Sequence, residues 1–165
     1  MRIFRLSGIL FLCLLLSSCA GAGRAPALPQ GAFRAELCGT QGELSFSALY
    51  ERSAPIGDQK TPAVTLTFYA PQSLCGTVLH RDGAGAVTLS TGGVTHPTAA
   101  KGLLDLLDLF PTEGEIGSVT LTESKNSLVK GEDFSLELLP DGTPIALERH
   151  GVSAKIVFFE ELPAA

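Results

Sequence analysis

The segment from His96 to Pro111 constrains the fold most, because its apolar residues have the spacing of a helix with one buried face. Pro97 supplies the fixed φ of a first helical position, and Pro111 ends the helix. Apolar residues recur between the two prolines at the i, i+3, i+4, i+7 positions of a single face: Ala99, Leu103, Leu106, Leu107 and Phe110. A lone helix this apolar needs a concave apolar surface to cover, and the sequence on both sides must supply that surface.

The sequence on both sides alternates apolar and polar residues in short runs separated by turn residues, which is typical of β-strands. Phe33 opens the first run, and pairing Cys38 with Glu43 across a Gly-Thr-Gln-Gly turn puts the apolar residues of two strands on one face. Residues 140–142 (Pro-Asp-Gly) form the strongest hairpin signal. We predict an α+β fold, mostly β: a single curved antiparallel sheet of about nine strands with the Leu-rich helix packed on its concave face.

The first 18 residues are predicted to be an export signal. Two arginines precede an apolar run from Leu6 to Leu16 that is too short to span a membrane. The run ends in Leu-Ser-Ser-Cys, which resembles the lipobox of bacterial lipoproteins. That resemblance implies that Cys19 is acylated and anchors the protein to the cell membrane, facing the extracytoplasmic side. The alternative is a plain secretory signal followed by an incidental cysteine.

Composition and charge define the remaining segments and exclude one class of partner. Residues 19–31 are rich in Ala, Gly and Pro and are predicted to be a flexible tether, followed by a domain over residues 32–162. Removing residues 1–18 takes away two arginines and no acidic residue, so the mature chain is more acidic than the net charge of −5 of the whole sequence. Nucleic-acid binding depends on neutralising phosphates, so we expect no nucleic-acid partner.

Two cysteines remain in the predicted domain, because Cys13 lies in the signal and Cys19 is the predicted lipid site. In an exported protein Cys38 and Cys75 are candidates for one disulfide. The alternative is two separate thiols, one or both of them buried. The absence of a C-x-x-C spacing argues against a redox enzyme or a zinc ribbon.

Several short features in the predicted order recur in one known family. They are the strand pair of residues 33–50, which opens with an aromatic residue, the P-x-x-L-x-G spacing of residues 71–76, the central helix, and the Leu-Leu-Pro-Asp-Gly turn after Phe134. Together they span residues 32–162, and their order resembles that of the LolA/LolB-like superfamily of lipoprotein-localisation factors. The resemblance implies an incomplete β-barrel whose interior, covered by helices, takes the acyl chains of a lipoprotein.

The candidate ligand site is apolar and lies between the sheet and the helix, in a space that we call the lumen. Two interpretations of its residues stay open: a lumen that admits an acyl chain, or a tightly packed core. The residues predicted to face one another there are Phe33, Phe46, Leu66, Phe68, Leu103, Leu107 and Phe110.

The sequence contains no recognisable catalytic motif, since G-x-S-x-G, H-E-x-x-H and a phosphate-binding Gly-rich loop do not occur. His80, His96 and His150 are spread over two strand regions and the helix start, which predicts exposed residues rather than metal ligands. Asp105 and Asp108 are predicted to lie on a solvated face of the helix. We therefore expect no enzymatic activity, no metal and no cofactor.

Two functions fit these observations. The first is a membrane-anchored, non-enzymatic binding module for an acyl chain, lipid or lipoprotein. The second is a structural or regulatory envelope lipoprotein with a filled core that docks a protein partner. Residues 157–159 (Val-Phe-Phe) in the closing strand have apolar side chains on both faces, and they are the candidate docking edge.

Overall fold

A computed structural model describes residues 27–54 and 61–163. The signal of residues 1–18, the predicted lipid site Cys19 and most of the predicted tether lie outside the described residues. The described chain forms one helix, α1 (Lys101–Leu107), a short 3₁₀ turn (Glu113–Glu115) and eleven strands. The strands are β1 (Phe33–Gln41), β2 (Leu44–Arg52), β3 (Val64–Ala70), β4 (Val78–Arg81), β5 (Val87–Thr91), β6 (Val94–Pro97), β7 (Ser118–Leu121), β8 (Ser127–Lys130), β9 (Phe134–Leu138), β10 (Pro144–Arg149) and β11 (Val152–Glu161).

All eleven strands form one open, curved antiparallel sheet, as the sequence predicts in kind, although the strand number is eleven rather than about nine. The order is β6-β5-β4-β3-β2-β1-β11-β10-β9-β8-β7, so two meanders meet where the first strand pairs with the last. Strands β6 and β7 are therefore the two edges of this sheet. The segment between them, which contains α1, connects opposite edges, and α1 packs on the inner side of β3 and β4.

The core lies on the inner face of the sheet, because alternate residues of neighbouring strands stay in phase there. Ala35 pairs with Tyr50, and Tyr50 pairs with Leu66, so buried positions face buried positions across three strands. The pairing of β1 with β11 shifts register after Glu36, so Val157 is the extra residue of a bulge, after which Phe158 points outward and Phe159 inward. The structure therefore confirms the prediction that alternating apolar and polar residues give the sheet one buried face.

Helix α1 is shorter than the predicted helix of residues 97–111. His96 and Pro97 belong to β6, where they pair with β5, so Pro97 is not a first helical residue. The helix ends at Leu107, and the chain continues in a non-helical conformation with Leu109 and Phe110 buried in the core. The helix thus begins later than predicted because its first predicted residues pair as a strand. It ends earlier because the last predicted residues leave the helical conformation and bury their large side chains in the core.

Two further details correct the predictions at the start of the domain. Leu28, inside the predicted tether of residues 19–31, is only 3% exposed and belongs to the core, so the packed part of the chain begins before residue 32. The first hairpin pairs Gln41 with Leu44, which places Cys38 opposite Ser47 rather than Glu43. The turn consists of two residues, and Gly42 in it has a φ of 60°, which glycine adopts easily.

Candidate functional site

The predicted lumen residues come together in one cluster on the inner face. Leu103 is half-buried at its margin, and the other six are buried. Their aromatic rings contact one another: the Phe33 and Phe110 ring centres are 4.7 Å apart, and those of Phe46 and Phe68 are 6.1 Å apart. These side chains therefore pack as a core in this structure, and an acyl chain would have to replace some of these contacts.

Tyr50 lies at the centre of this cluster and fastens the helix to the sheet. Its ring is 5.9 Å from the Phe33 ring and 5.0 Å from the Phe110 ring. Its buried hydroxyl donates a hydrogen bond of 2.9 Å to the carbonyl oxygen of Leu107, in the last turn of α1. Carbonyl groups in a last helical turn have no donor within the helix, so Tyr50 satisfies one of them. Burial in this cluster raises the pKa of the Tyr50 phenol.

Two other side chains of the sheet reach α1 and its ends. The Gln41 amide donates a hydrogen bond of 3.0 Å to the carbonyl of Gly102 in the first turn. The Arg81 guanidinium forms an ion pair with Asp108, the residue that follows the helix. Asp108 is thus an ion-pair partner of the sheet, although the sequence predicts it on a solvated helix face. Within the described residues, few polar contacts hold the helix over the core.

A pocket of about 310 Å³ opens beside the end of α1. Its apolar wall includes Tyr50, Leu107 and Phe110, all members of the aromatic core or the helix. Its polar wall includes three arginines from the inner face: Arg52, Arg81 and Arg149. A volume near 300 Å³ is at the lower end of the range for small-ligand sites, so the pocket can hold a small molecule or the end of a larger one.

Two of the three arginines have carboxylate partners. Arg81 pairs with Asp108, and Arg149 pairs with Glu115 and, at 3.3 Å, with Asp133. Burial raises the pKa of the Glu115 carboxyl, but hydrogen bonds from Arg149 and from Thr112 outweigh that effect, so the net pKa is lowered. The same carboxyl caps the 3₁₀ turn through the Thr112 backbone N–H. Glu115 therefore ties the chain after α1 to strand β10.

Arg52 differs from the other two. Arg52 is only 6% exposed, and among the described residues no carboxylate lies within ion-pair distance of its side chain. Its Nε atom is buried without a hydrogen-bond partner. The guanidinium carbon lies 5.8 Å from the centre of the Phe33 ring, a cation–π contact. Desolvation lowers the pKa of Arg52, and the nearby charge of Arg81 lowers it further.

These three arginines are not among the residues predicted for the site, although the sequence contains a signal for them. Each lies two residues after a buried apolar residue in its strand, namely after Tyr50, Leu79 or Leu147. The period of two residues that assigns apolar side chains to the core assigns these charges to the inner face as well. A charged residue in phase with an apolar strand face is therefore the pattern to search for.

The two cysteines of the domain are free and exposed, so the predicted disulfide is wrong, and neither thiol is buried. Cys38 points to the outer face of β1, where its sulfur is 3.5 Å from the Ser47 hydroxyl. Cys75 lies in the turn between β3 and β4. In the part of the chain that the structure describes, no three His, Cys, Asp or Glu side chains are grouped as a metal site would require.

Among the described strands, Phe158 and Phe159 pair with β1 alone, because β10 pairs only with residues 152–155 of β11, so this part of β11 has no strand partner on its second side. Phe159 points inward, with its ring 5.2 Å from that of Phe33. Phe158 points outward and is 43% exposed. With Leu49 and Tyr69, which is 49% exposed, Phe158 lines a shallow depression on the outer face. The exposed apolar side chain of Phe158 therefore lies on the convex side of the sheet.

Comparisons with known proteins support the fold and go no further. No protein-family model matches the sequence, and no curated protein sequence matches it. Among solved structures, MucB matches 86% of this chain and 57% of its own length, with 14% identity and a TM-score of 0.50. An uncharacterized conserved protein from Thermus thermophilus matches 82% of both chains, with 15% identity and a TM-score of 0.48.

The LolA superfamily protein NE2245 from Nitrosomonas europaea also matches, over 85% of this chain and 90% of its own, with 9% identity and a TM-score of 0.39. MucB is also matched in its complex with MucA(peri), with a TM-score of 0.37. At these identities the match to MucB shows a shared fold and no shared activity. Membership of the LolA/LolB-like superfamily stays a prediction from the sequence, and MucB supports it at the level of the fold.

Proposed function

We propose that this protein is a non-enzymatic binding module for an acyl chain, carried by a lipid or lipoprotein, and that lipidated Cys19 anchors it at the extracytoplasmic side of a membrane. The observation that carries the proposal is that only a short helix covers the apolar core. The apolar inner face of an open eleven-stranded sheet is covered by a helix of only seven residues, α1, whose backbone lies nearest to β3 and β4. No helix of the described residues is long and apolar enough to span a membrane.

Ligand entry would begin at the pocket beside the end of α1. There Tyr50, Leu107 and Phe110 line the pocket, and the Phe33 ring contacts the rings of Tyr50 and Phe110 without lining the pocket itself. Outward movement of α1 and Phe110 would let an acyl chain take their place against the rings of Phe33 and Tyr50. Each buried CH₂ contributes about 0.8 kcal/mol, so a chain of ten carbons supplies roughly 8 kcal/mol against the contacts that it displaces.

Native mass spectrometry of the purified protein, with lipid extraction of the same sample, tests the proposal. We expect a co-purifying mass that matches a fatty acid or phospholipid. Leu103→Asn should reduce the bound fraction, because Leu103 packs against the core at the helix margin. Leu104→Asn is the matched control, since the neighbouring Leu104 is similarly half-buried but is not among the side chains packed against the core. A clean protein mass that is unchanged by added fatty acid would refute the acyl-chain proposal.

The lipid anchor is tested separately by metabolic labelling with radioactive palmitate. We expect Cys19→Ser to abolish the label and to release the protein from membranes. Cys13→Ser, a substitution of the other cysteine near the N-terminus, should keep the label. Equal labelling of both variants would show that Cys19 is not the acylated residue.

A protein partner is the second candidate function, and the outer-face depression of Phe158, Tyr69 and Leu49 favours it. MucB, which shares the fold, is found in complex with MucA(peri), so one protein of this fold binds a protein. A photo-crosslinking amino acid in place of Phe158 should form a discrete adduct in cells. The same amino acid at the exposed position Glu148, also on a strand of the sheet, is the control. No adduct at position 158 would argue against this surface.

A further inference from the structure

The position of Arg52 requires a partner that the described residues do not supply. An arginine stays protonated in proteins, and a buried charge is costly unless it is paired and hydrogen-bonded. The inner face carries three arginines, and the other two have their carboxylates. Arg52 is the most buried of the three and has no such partner within the described chain. A polar group that enters from outside would compensate this charge.

The cation–π contact with Phe33 does not satisfy the guanidinium. Such a contact acts on the face of the group, whereas its N–H donors point outward in the plane. The Nε of Arg52 has no acceptor, and neither has the Nε of Arg81. Both Nε atoms are enclosed, so the terminal nitrogens of the guanidinium are the donors left for an acceptor in the pocket; within the described residues the Arg52 side chain forms no hydrogen bond.

The sheet brings these two arginines to the same pocket. Arg52 pairs with Val64 across β2 and β3, and Val64 pairs with Arg81 across β3 and β4, so the three residues form one row on the inner face. Both arginines line the open pocket of about 310 Å³. A ligand from solution can therefore reach Arg52, although the residue itself is almost completely buried.

We propose that this pocket binds an oxyanion, a carboxylate or phosphate group, with Arg52 as its principal ligand and Arg81 as a second donor. The planar fork of arginine matches the paired oxygens of either group and forms two parallel hydrogen bonds with it. The Asp108 and Glu115 carboxylates are already engaged by Arg81 and Arg149, so they leave Arg52 available. This inference does not depend on a bound acyl chain.

Isothermal titration of the purified full-length protein with inorganic phosphate and, separately, with octanoate tests the inference. We expect at least one of the two anions to bind. Arg52→Met should weaken that binding by about tenfold or more, equivalent to ~1.4 kcal/mol. Arg34→Gln is the matched control, because Arg34 lies on the outer face of β1, is 46% exposed and is paired with Glu160. It should leave binding unchanged.

Arg52→Lys and a melting experiment separate binding from folding. Arg52→Met removes a buried charge without a partner, so we expect it to raise the melting temperature of the protein without ligand. Added phosphate or octanoate should raise the melting temperature of the wild type and not that of Arg52→Met. Arg52→Lys keeps the charge but loses the fork, so its affinity should fall between the two. If Arg52→Met does not fold, Arg52→Lys carries the binding test alone.

The results of these titrations identify the chemical source of the anion, and they test the anion site separately from the acyl-chain proposal. Phosphate binding that requires Arg52 assigns the site to free or esterified phosphate, and octanoate binding that requires Arg52 assigns it to the headgroup of an amphiphile. Either result supports the inference, even if no acyl chain is found in the lumen. If every anion that binds wild type binds Arg52→Met equally well, the anion site is overturned, and octanoate bound in this way leaves the acyl-chain proposal standing. Binding of neither anion overturns the inference.

Discussion

The hydrogen bond from Tyr50 to Leu107 makes a sharp prediction about what holds α1 over the core. Tyr50→Phe removes one oxygen atom and keeps the ring that packs between Phe33 and Phe110. The carbonyl of Leu107 is left buried in the last helical turn without its donor. An unsatisfied buried acceptor costs about 1–3 kcal/mol, so we expect the free energy of unfolding to fall by about 2 kcal/mol.

Urea denaturation measures this loss. With a slope of about 2 kcal/mol per molar urea, the unfolding midpoint should fall by about 1 M with the slope unchanged. Hydrogen exchange should become faster at the amides of α1 before it changes in the central strands, because the lost bond fastens the helix alone. Tyr69→Phe is the matched control: the Tyr69 side chain is exposed on the outer face, and its substitution should change stability by less than about 0.5 kcal/mol. If Tyr50→Phe unfolds at the wild-type midpoint, the hydroxyl does not hold the helix.

The same pair of variants gives a pH prediction. The chain has two tyrosines, so Tyr69→Phe leaves Tyr50 as the only phenol that can be titrated. Because burial raises the pKa of Tyr50 above its value of about 10 in the unfolded chain, this contribution to stability is complete below pH 10 and is lost as the pH rises further. In Tyr69→Phe the ultraviolet absorbance of tyrosinate should therefore appear together with unfolding. Ionisation at a lower pH, with the fold intact, would show that Tyr50 is not buried.

Three further substitutions or measurements test other parts of the fold. A Cβ on Gly39 would lie 2.7 Å from a backbone oxygen of β11, so Gly39→Ala should destabilise the domain by about 1–3 kcal/mol in urea denaturation, and a neutral result would contradict the close approach of the strands. Because Arg149 and a backbone N–H hold the pKa of Glu115 down, stability should fall as the pH drops through the acidic range, and Glu115→Gln should flatten that dependence in pH-dependent melting curves. Alkylation without reductant, followed by peptide mapping, should label both Cys38 and Cys75; protection of both would restore the disulfide.

The first hairpin shows what the sequence determines and what it leaves open. Period-two alternation assigns the buried face of β1 and β2 correctly, because the predicted and observed registers differ by an even number of residues. The predicted Gly-Thr-Gln-Gly turn is wrong because Gly39, a residue type common in turns, lies inside strand β1. Its place is set by the close approach of β11, where a side chain would overlap Ala154. That strand is more than 100 residues away in sequence, so no local pattern contains this information.

Helix α1 shows the same competition between local and distant interactions. The spacing of Leu103, Leu106 and Leu107 predicts a helix there and predicts its buried side, and both are confirmed. The bounds differ because His96 and Pro97 gain strand pairing with β5, and because Phe110 reaches the rings of the core only after the helix has ended. Helix propensity is worth less per residue than either kind of tertiary contact, so the tertiary contacts determine the bounds.

The candidate site is formed by charged residues at strand positions where the alternation of the sequence predicts apolar residues. At the inner-face positions of Arg52, Arg81 and Arg149, alternation requires an apolar side chain, and the chain places a cation there. Two of these cations have carboxylates from the segment after the helix, which thereby fixes the path of that segment across the sheet. Arg52, the third cation on that face, has no such carboxylate among the described residues, and its guanidinium contacts the Phe33 ring instead. Local rules that are broken without compensation in the fold mark functional positions, and on this reasoning Arg52 is the first residue to substitute.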